Sequence, residues 1–551
     1  MTRNYISKFI IGIAFISVCL LNAIQAQTSF DTNEECTATY TPNSGKVVIP
    51  CLDANDGNNY HIEMQEQAEP LNFSVNDIKV NAPLVHVTIL HINDVYEIMA
   101  VNNGTQGGLA RLATIRKQLL GKNPHTYTVL SGDLFSPSAL GTARIDGERL
   151  AGKQMIDLMN LVGLDYATFG NHEFDLKEEQ FYQRLAESEF KWFSGNVFDK
   201  NSQPFPNVPE YEILEIITKN QVVKIGLIGV TLDSNLTDYV RYVDPFVTAK
   251  EQAKLLKNKV DILIAVTHLA LENDIKLAET VPELDIILGG HEHENVQVWR
   301  GKDFTPIFKA DANVRSVYVH DLYYNVDTDE LDIKSRLKLV NEQIPDNAVV
   351  LKQAKYWENL AFAGFEKDGF NPREIVVTTT EELDGTEVSV RNRTTKLTEL
   401  IAGGMLNVAT DTELAIFNSG SIRIDDVIPV GEIIEYDIIR ILPFGGEVLS
   451  VSMTGSLLKR VLDQGVKNKG NGGYLQTVKT MQKDGSWFIN GEVLDESRNY
   501  VVAINDFLVS GREQNLEYLD IENNQDIQPI SEHGDIRKAF IKELKKTYPS
   551  E

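Results

Sequence analysis

The chain has 551 residues, with 52 basic against 79 acidic side chains and a formal net charge of −27. Hydrophobic residues make up 42% and charged residues 24% of it, which is typical of a folded globular protein rather than a disordered one. At about 100–200 residues per domain, this length predicts several domains. The acidic balance excludes a broad basic surface for nucleic acid or anionic lipid, but it does not exclude a local site for a small anion.

The N-terminus has the pattern of a secretory signal peptide, which we predict over residues 1–26. Basic residues precede an apolar run at 9–21, and a run of that length suits a signal peptide better than a membrane span. Ala23 and Ala26 supply the small residues that precede a cleavage site. The predicted location is therefore periplasmic or secreted, without stable membrane insertion after cleavage. A retained membrane anchor is the alternative.

Residues 27–82 are polar, and short alternating runs separated by turn signals predict a small β appendage there. We assign this segment no function. Cys36 and Cys51 remain after removal of the signal peptide. In an exported protein a disulfide between them is the simplest interpretation, and a two-cysteine metal site is the weaker alternative.

Strand and helix patterns alternate from about residue 84 onward. Nearly continuous apolar runs occur at 85–92, 127–130, 166–169, 222–230, 260–266 and 285–288. Helical patterns lie between them, and this alternation predicts a buried sheet of the α/β class. Strand patterns after Gly290 predict a second sheet packed on the first.

A linker separates this region from a second α/β unit. Residues 345–370 have the pattern of a helix followed by a loop. The predicted order is a signal peptide at 1–26, the appendage at 27–82, a first α/β domain at 83–342, a linker helix and hinge at 343–372, and a C-terminal domain at 373–551.

Polar motifs follow several of the predicted strands. They are Asn93-Asp94, Gly132-Asp133, Gly170-Asn-His-Glu-Phe-Asp175, Thr267-His268 and Gly289-Gly-His-Glu-His293. Ligands bind at the carboxyl ends of the strands in open α/β sheets, so the topology predicts that these side chains converge. Carboxylates, an amide and imidazoles suit Zn, Mn or similar divalent ions. The set is large enough for two metals bridged by one carboxylate, an arrangement that clamps a phosphoryl group and produces hydroxide at neutral pH.

Each of these residues alone has a simpler structural explanation. An aspartate after a strand is usually a turn or helix-cap residue, and a single histidine is more often a hydrogen-bonded group than a ligand. The chain has only 10 histidines, however, and several of them lie at predicted strand ends, namely His172, His268, His291 and His293. We therefore interpret the motifs as one site.

The motifs resemble those of the calcineurin-like metallophosphoesterases. Together with Gly107-Gly-Leu-Ala-Arg-Leu112 they resemble the 5′-nucleotidase family, which includes UDP-sugar hydrolases, over roughly residues 84–520. The resemblance implies that the first domain is catalytic and is a four-layer αββα sandwich. It also implies a C-terminal α/β domain that binds substrate and rotates about the linker.

The resemblance implies a role for each residue of the site. The implied metal ligands are Asp94, Asp133, Asn171, His268, His291 and His293. Asp133 would bridge two divalent ions, Asp94 and His293 would hold the first of them, and the other three residues would hold the second.

His172 would be catalytic and lie beside the scissile phosphate, with Asp175 orienting it. A carboxylate bonded to an imidazole fixes its tautomer and favours its cationic form, which suits stabilisation of phosphoryl charge. A helix N-cap is the structural alternative for Asp175.

The first motif departs from the family pattern. The family has Asn-Asp-x-His, whereas this chain has Asn93-Asp94-Val-Tyr96, so a tyrosine replaces the usual histidine ligand. Tyr96 would either act as a phenolate ligand or point away, with water in its place. His293 lies where many 5′-nucleotidases have Gln or Asn, so an imidazole is restored from the other side. We therefore expect two metals, with an altered preference at the first.

Motifs in the C-terminal half resemble the nucleotide pocket of the family. They are Ile416-Phe-Asn-Ser-Gly-Ser-Ile-Arg423, Leu442-Pro-Phe-Gly-Gly446 and Ile504-Asn-Asp-Phe507. The resemblance implies that Phe444 and Phe507 stack on a base from both faces. The implied polar set is Arg391, Asn418 and Arg423, with Arg393 as a rival to Arg391. Many relatives follow the second Phe with a Gly-Gly-Asp-Gly-aromatic loop, which this chain lacks, and Glu513 is the candidate to replace its aspartate. A buried phenylalanine is more often a core residue, so the stack depends on the motifs.

The sequence therefore predicts a secreted or periplasmic phosphoester hydrolase. The leading hypothesis is a 5′-nucleotidase that releases phosphate from nucleoside monophosphates by attack of metal-bound hydroxide. Alternative substrates are UDP-sugars, 2′,3′-cyclic nucleotides, other phosphoesters or a sulfur ester, and a non-catalytic nucleotide- or metal-binding protein is the alternative from another class. The expected partner is a small phosphoester rather than a nucleic-acid polymer, and the oligomeric state is left open.

Overall fold

The computed structural model describes residues 39–41, 46–52, 59–65, 84–218 and 221–549. The chain divides into two compact units, Met1–Leu71 and Asn72–Glu551. The first unit contains an antiparallel sheet within the predicted appendage, with the strands Thr39–Thr41, Lys46–Leu52 and Asn59–Gln65. The predicted signal peptide and Cys36 lie outside the described residues, so these remain predictions.

The second unit begins with a six-stranded sheet, here called the first sheet. From edge to edge its strands are Glu330–Leu339, Ser316–Asn325, Leu84–Ile92, Thr126–Ser131, Tyr166–Thr168 and Lys191–Trp192. The last four strands run parallel to one another, and the other two form an antiparallel edge. Strands in the middle of a parallel sheet are covered on both faces, which explains their nearly continuous apolar runs.

A second six-stranded sheet, here called the second sheet, follows in the chain. Its strands are ordered Tyr211–Ile217, Val222–Thr231, Ile262–His268, Ile286–Gly289, Thr305–Lys309 and Val296–Arg300. The inner four are parallel, and the outer strand on each side is antiparallel to its neighbour.

The two sheets pack face to face through a shared apolar core. Val87 of the first sheet lies in this core with Ile225 and Ile264 of the second. Helices cover the outer faces, with Leu109–Lys122 and Lys153–Val162 on the first sheet and Pro245–Leu256 and Leu271–Thr280 on the second. The predicted four-layer αββα sandwich is therefore confirmed.

The long helix Ala348–Lys367 leads into the C-terminal domain. It begins after Asn347, whose side chain accepts hydrogen bonds from the first free backbone N–H groups. The sheet that follows has the order Leu475–Val478, Leu414–Asn418, Asn499–Asn505, Glu447–Thr454 and Ile527–Asp535. Helices Lys396–Val408 and Ile536–Thr547 pack on one face of this sheet, and Gly455–Lys467 packs on the other.

Shorter elements complete the described residues. The other α-helices there are Glu178–Glu187, Glu387–Val390, Glu435–Ile441 and Asp506–Val509. Paired short strands are Arg144–Ile145 with Glu148–Arg149, Val197–Asp199 with Val240–Tyr242, Ile375–Thr379 with Gly431–Ile434, Leu383–Asp384 with Val427–Ile428, and Thr480–Lys483 with Ser486–Ile489 and Glu492–Val493. Within these ranges no helix has both the length and the apolar character that crossing a bilayer requires.

Buried polar contacts join the first domain to the C-terminal domain. Glu97, in the loop after the first-sheet strand Leu84–Ile92, is buried. Its carboxylate accepts hydrogen bonds from Arg440 Nε at 3.1 Å and from the Tyr436 hydroxyl at 3.2 Å. Removing one partner of a buried pair leaves an uncompensated charge, at a cost of about 3–5 kcal/mol. This contact therefore stabilises the docked arrangement of the two domains.

Two histidines that are not among the predicted metal ligands lie in the protein interior. His91 and His320 are both fully buried. Burial lowers the pKa of His91 to about 3 and lowers the pKa of His320 well below its ordinary value. Both side chains are therefore neutral in the folded protein at neutral pH.

We expect folding stability to fall as the pH drops below about 6.5, because the unfolded chain then binds protons that these buried histidines exclude. A depressed folded-state pKa gives stability that is complete above the unfolded pKa and is lost as the pH falls. The loss per histidine is about 1 kcal/mol between about pH 6.5 and about pH 5.5. His320→Gln keeps a hydrogen-bonding group for the Ser335 hydroxyl. It should reduce the slope of the free energy of unfolding against pH by the equivalent of about one bound proton. Urea unfolding at several pH values measures that slope, and an unchanged slope in the variant would contradict the prediction.

Candidate active site

The polar motifs converge where the carboxyl ends of the parallel strands of both sheets meet. Asp94, Asp133 and His268 are each at most 1% exposed there. One ligand atom from each of these side chains lies within 4.8 Å of the others. The prediction that strand topology gathers these residues is confirmed for this buried cluster.

The loops that carry the two aspartates adopt a strained backbone conformation and pack closely. Asp94 and Asp133 have φ angles of 52° and 59°, in the left-handed region that few non-glycine residues adopt. The Asp94 N–H donates to the carbonyl of Gly132 at 3.1 Å. A Cβ on Gly170 would lie 2.1 Å from Asp133 Oδ1, so only glycine fits there. Strain of this kind persists where the surrounding structure enforces it, which is common at functional sites.

A buried carboxylate supports these loops from behind. Glu173 is fully buried and accepts hydrogen bonds from the backbone N–H groups of Gly170, Asp133 and Leu134. Burial and the Asp133 charge raise the pKa of Glu173 to about 7. Glu173 lies inside a motif but was given no predicted role, because two of its partners are backbone groups of a loop about 40 residues away in sequence.

His268 presents one ring nitrogen to the two aspartates. Its Nδ1 donates to the Ser131 carbonyl at 2.8 Å, which leaves Nε2 at 3.4 Å from Asp133 Oδ2 and 4.0 Å from Asp94 Oδ1. Burial alone would lower the pKa of His268, but these carboxylates raise it to about 9. Burial would likewise raise the pKa of Asp133, yet the charges of His268 and His172 hold it well below its usual range. The site therefore favours positive charge.

Two buried atoms of the predicted ligand set have no hydrogen-bond partner, and both can offer an electron pair to a metal, His268 Nε2 once its proton is lost. They are Asn171 Oδ1 and His268 Nε2. Since nearly all buried polar atoms in proteins are hydrogen-bonded, such orphans indicate a missing partner. A donor set of carboxylate, amide oxygen and imidazole matches divalent ions such as Zn²⁺ or Mn²⁺. The residues present thus fit a divalent metal.

The other predicted histidine ligands flank this cluster. The His291 backbone N–H donates to Asp94 Oδ2 at 2.9 Å, and the centre of the His291 ring lies 5.4 Å from that of His268. Burial, together with the His268 charge, lowers the pKa of His291 to about 3, so its ring is neutral, as a ligand must be. His293 Nε2 lies 3.5 Å from Asp94 Oδ1.

Tyr96 points into the site. Its hydroxyl lies 2.9 Å from Asp94 Oδ1, 2.9 Å from Asp133 Oδ2 and 3.0 Å from His293 Nε2. The expectation that Tyr96 points away, with water in its place, is therefore wrong. Burial and the two carboxylates raise the pKa of Tyr96 well above its ordinary value, so here the phenol is neutral and donates to a carboxylate.

The predicted catalytic pair is formed. His172 Nδ1 lies 2.8 Å from Asp175 Oδ2, and the same carboxylate accepts from Ser136 Oγ at 2.8 Å and from Asn235 Nδ2 at 2.6 Å. The His172 backbone N–H donates to Asp133 Oδ1 at 2.9 Å, which ties the pair to the metal cluster. Burial lowers the pKa of His172, but Asp175 and Asp133 together raise it above its ordinary value. Sequence reasoning missed Ser136 and Asn235, which come from distant loops.

Arg423 of the C-terminal domain lies close to this pair. Its positive charge opposes protonation of His172 and helps to lower the pKa of Asp175. Its guanidinium carbon lies 5.6 Å from the centre of the Phe444 ring. Its Nε is buried and has no hydrogen-bond partner. The Arg423 charge thus acts on the predicted catalytic pair, and its guanidinium also lies near an aromatic side chain.

Phe444 and Phe507 are surface side chains, 42% and 41% exposed. The alternative that they are core residues is therefore wrong. Phe444 lies in a turn and Phe507 in the short helix Asp506–Val509. The two segments are close together, because a Cβ on Gly446 would lie 2.6 Å from Asp506 Oδ1. The two rings are thus available to a ligand on neighbouring segments.

The remaining predicted substrate residues surround Glu513. Asn418 is buried and donates from Nδ2 to Glu513 Oε2 at 2.7 Å, while its Oδ1 accepts from Asn505 at 3.0 Å. Burial raises the pKa of Glu513, and the charges of Arg423 and Arg391 partly oppose that rise. Arg391 therefore lies near Glu513.

Arg391 also pairs with Glu387. Its rival Arg393 pairs with Asp384 at 2.8 Å and is largely exposed. Arg391 is consequently the better candidate of the two for the pocket.

Two protein families match this chain. Residues 87–295 match the family described as calcineurin-like phosphoesterase, and residues 376–519 match the family described as 5′-nucleotidase, C-terminal domain. The trifunctional nucleotide phosphoesterase protein YfkN of Bacillus subtilis is 26% identical over 439 residues, which cover 70% of this chain but only 28% of that protein. Protein UshA of Yersinia enterocolitica is 26% identical over 484 residues, covering 77% of this chain and 85% of that protein.

A solved structure has the same fold. The 5′-nucleotidase precursor from Thermus thermophilus aligns with a TM-score of 0.68 at 21% identity, covering 85% of this chain and 97% of that chain. The αββα sandwich and the C-terminal α/β domain thus occur together in that structure as they do here.

Proposed function

Because the chain belongs to the calcineurin-like metallophosphoesterases that carry a 5′-nucleotidase C-terminal domain, we propose that it is a metal-dependent hydrolase of nucleoside monophosphates. The enzyme class is that of the family, a phosphoester hydrolase. The observation that carries the proposal is that the charge of Arg423 acts on the His172–Asp175 pair while its guanidinium lies 5.6 Å from the centre of the exposed Phe444 ring. A nucleotide has its phosphate and its base at opposite ends, and this arrangement offers a partner to each.

The site geometry supports the proposed set of metal ligands. Asp133 would bridge two ions, Asp94 and His293 would hold one, and Asn171, His268 and His291 would hold the other. When bound, the ions supply positive charge for the phosphoryl oxygens and activate water at neutral pH.

The side chains around the metal position bind the substrate and stabilise its charge. Asp175 holds the Nδ1 proton of His172, so that Nε2–H of a cationic imidazole is available to a phosphoryl or leaving-group oxygen. The planar guanidinium of Arg423 suits a phosphate, which it binds through two parallel hydrogen bonds. Phe444 and Phe507 provide flat apolar faces for a base.

A substrate panel tests the proposal. The purified chain is loaded with Zn²⁺ or Mn²⁺, and phosphate release is measured from AMP, UMP, UDP-glucose, 2′,3′-cyclic AMP and bis-p-nitrophenyl phosphate. We expect the highest kcat/KM for the nucleoside monophosphates. Preference for UDP-glucose or a cyclic nucleotide would replace the substrate assignment. Tight nucleotide binding with no turnover under any metal would favour a non-catalytic binding protein.

We expect Phe444→Ala and Phe507→Ala each to raise KM for AMP about 5- to 100-fold, since stacking on a base contributes about 1–3 kcal/mol. Turnover of ribose 5-phosphate, which has no base, should change little. Phe304→Ala is the matched control, because Phe304 is 72% exposed and lies in a different loop. Equal losses on AMP and ribose 5-phosphate would contradict the stacking role.

We also propose a periplasmic or secreted location. Its support is the signal pattern at residues 1–26. Mass spectrometry of the protein from its native host should find a mature N-terminus at Gln27, and an intact N-terminus would contradict this proposal.

A further inference from the structure

One predicted metal ligand is held by a residue of the other domain. His293 belongs to the first domain, and its Nδ1 is hydrogen-bonded to Asp425 Oδ2 of the C-terminal domain. The opposite ring nitrogen, Nε2, faces the cluster, at 3.0 Å from the Tyr96 hydroxyl and 3.5 Å from Asp94 Oδ1. The ring thus spans from a carboxylate of one domain to the metal position of the other.

Asp425 is itself fixed in place. It has a φ angle of 38°, in the left-handed region, which Asp and Asn tolerate better than other non-glycine residues. Its Oδ1 accepts a hydrogen bond from the Glu387 backbone N–H at 2.6 Å. The neighbouring Asp426 pairs with Arg315 of the first domain at 3.6 Å. Both aspartates therefore lie at the boundary between the domains, but only Asp425 contacts a predicted metal ligand.

We propose that Asp425 is a positioning residue that completes the metal centre from the C-terminal domain by orienting His293. The inference rests on the metal site assigned under the proposed function. A histidine ligand almost always donates its second ring N–H to a carboxylate or carbonyl, which fixes the ring orientation and makes the free nitrogen a better donor. Here the carboxylate comes from Asp425, so the geometry of the first metal position depends on the docked C-terminal domain.

The presence of Tyr96 makes the orientation of His293 by Asp425 more important for the first metal position. The phenol stands where the family has a histidine, and its hydroxyl lies 2.9 Å from a carboxylate oxygen of Asp94 and 2.9 Å from one of Asp133. A hydroxyl engaged with carboxylates is a poorer metal ligand than an imidazole, because anionic oxygen and neutral imidazole are the preferred donors. His293 is then the imidazole on which the first position depends, and its orientation by Asp425 matters accordingly.

Metal titration of the full chain tests the inference. Protein stripped with a chelator is titrated with Zn²⁺ by calorimetry and by competition with a chromophoric chelator, without substrate. Asp425→Asn tolerates the left-handed backbone and still offers an oxygen to the Glu387 N–H, but it removes the carboxylate charge from His293. We expect it to weaken one of the metal-binding steps about 10- to 100-fold.

Asp426→Asn is the matched control, because it alters the neighbouring interdomain ion pair with Arg315, which contacts only the backbone carbonyl of His293, and leaves the hydrogen bond to the His293 ring in place. Its metal affinity should equal that of the wild type. In a His293→Ala background, Asp425→Asn should cause no further loss of affinity. Thermal unfolding of each metal-free variant verifies that it is folded.

Several outcomes would overturn the inference. They are wild-type metal affinity in Asp425→Asn, equal losses in Asp425→Asn and Asp426→Asn, or a further loss in the His293→Ala background. A wild-type chain that binds no divalent metal would overturn the proposed function as well. Tight binding that is insensitive to position 425 would overturn this inference alone.

Discussion

Asp133→Asn is expected to lower turnover at least about 1000-fold, which corresponds to about 4 kcal/mol of transition-state stabilisation. Asp133 Oδ2 lies 3.4 Å from His268 Nε2, and its Oδ1 accepts the His172 N–H, so this one carboxylate joins the metal cluster to the catalytic pair. Asparagine has the same shape and still accepts the His172 N–H, but it lacks the charge and the second anionic oxygen that a bridging ligand needs. Phosphate release from AMP under saturating metal measures the loss.

A stability measurement separates loss of metal from loss of fold. Ligands that bind only the folded state raise its stability in proportion to their affinity. The melting temperature of the wild type should therefore rise with added Zn²⁺, and that of Asp133→Asn should rise less. Asp244→Asn serves as the control, because Asp244 caps the helix Pro245–Leu256 and asparagine caps equally well. A full rise in Asp133→Asn would contradict the bridging assignment.

The sequence predicted the cluster of Asp94, Asp133 and His268 because a single topological rule places the carboxyl ends of parallel strands together. Each residue follows or ends a strand whose apolar run is easy to recognise, so no side-chain detail was needed. The fold class could be predicted for the same reason, since buried strands alternating with helices have few ways to pack.

The direction of Tyr96 could not be predicted in this way. Two residues after Asp94, the chain is in a loop, where no periodicity fixes where a side chain points. The phenol points inward because its hydroxyl finds two buried carboxylates as acceptors, at 2.9 Å each. Those acceptors come from different strands, and their spacing is known only once the sheet is assembled.

The hydrogen-bond partner of His293 could not be predicted from the sequence either. Asp425 lies 132 residues away in sequence and belongs to another domain. Its position two residues after the motif that ends at Arg423 is a signal only in retrospect, since two adjacent aspartates in a loop are usually a turn. Contacts between domains depend on how two finished surfaces dock, and no local pattern in either domain encodes them.

The net charge of −27 describes the whole chain and not the local charge at the site. His268 and His172 both have a raised pKa, and the Arg423 charge acts on His172, so the cleft holds several cationic groups within an acidic protein. Bound divalent ions would displace the proton of His268 and bring their own positive charge. An acidic surface with a cationic cleft favours entry of a small phosphoester and disfavours binding of a nucleic-acid polymer, which needs an extended basic surface.

His172→Ala is expected to lower kcat for AMP about 100- to 10,000-fold while metal affinity stays unchanged. His172 contacts Asp175 and Asp133 but contributes no side-chain ligand to the proposed metal set, so its loss should remove charge stabilisation and leave the ions bound. If the imidazolium supports the leaving oxygen, the loss should be smaller for a good leaving group such as p-nitrophenolate than for the ribose 5′-oxygen. Asp175→Asn should give a smaller loss on AMP, because the imidazole remains and only its orientation and charge are weakened. Equal losses on both substrates would place His172 at the phosphoryl oxygens alone, and unchanged turnover would remove it from the reaction.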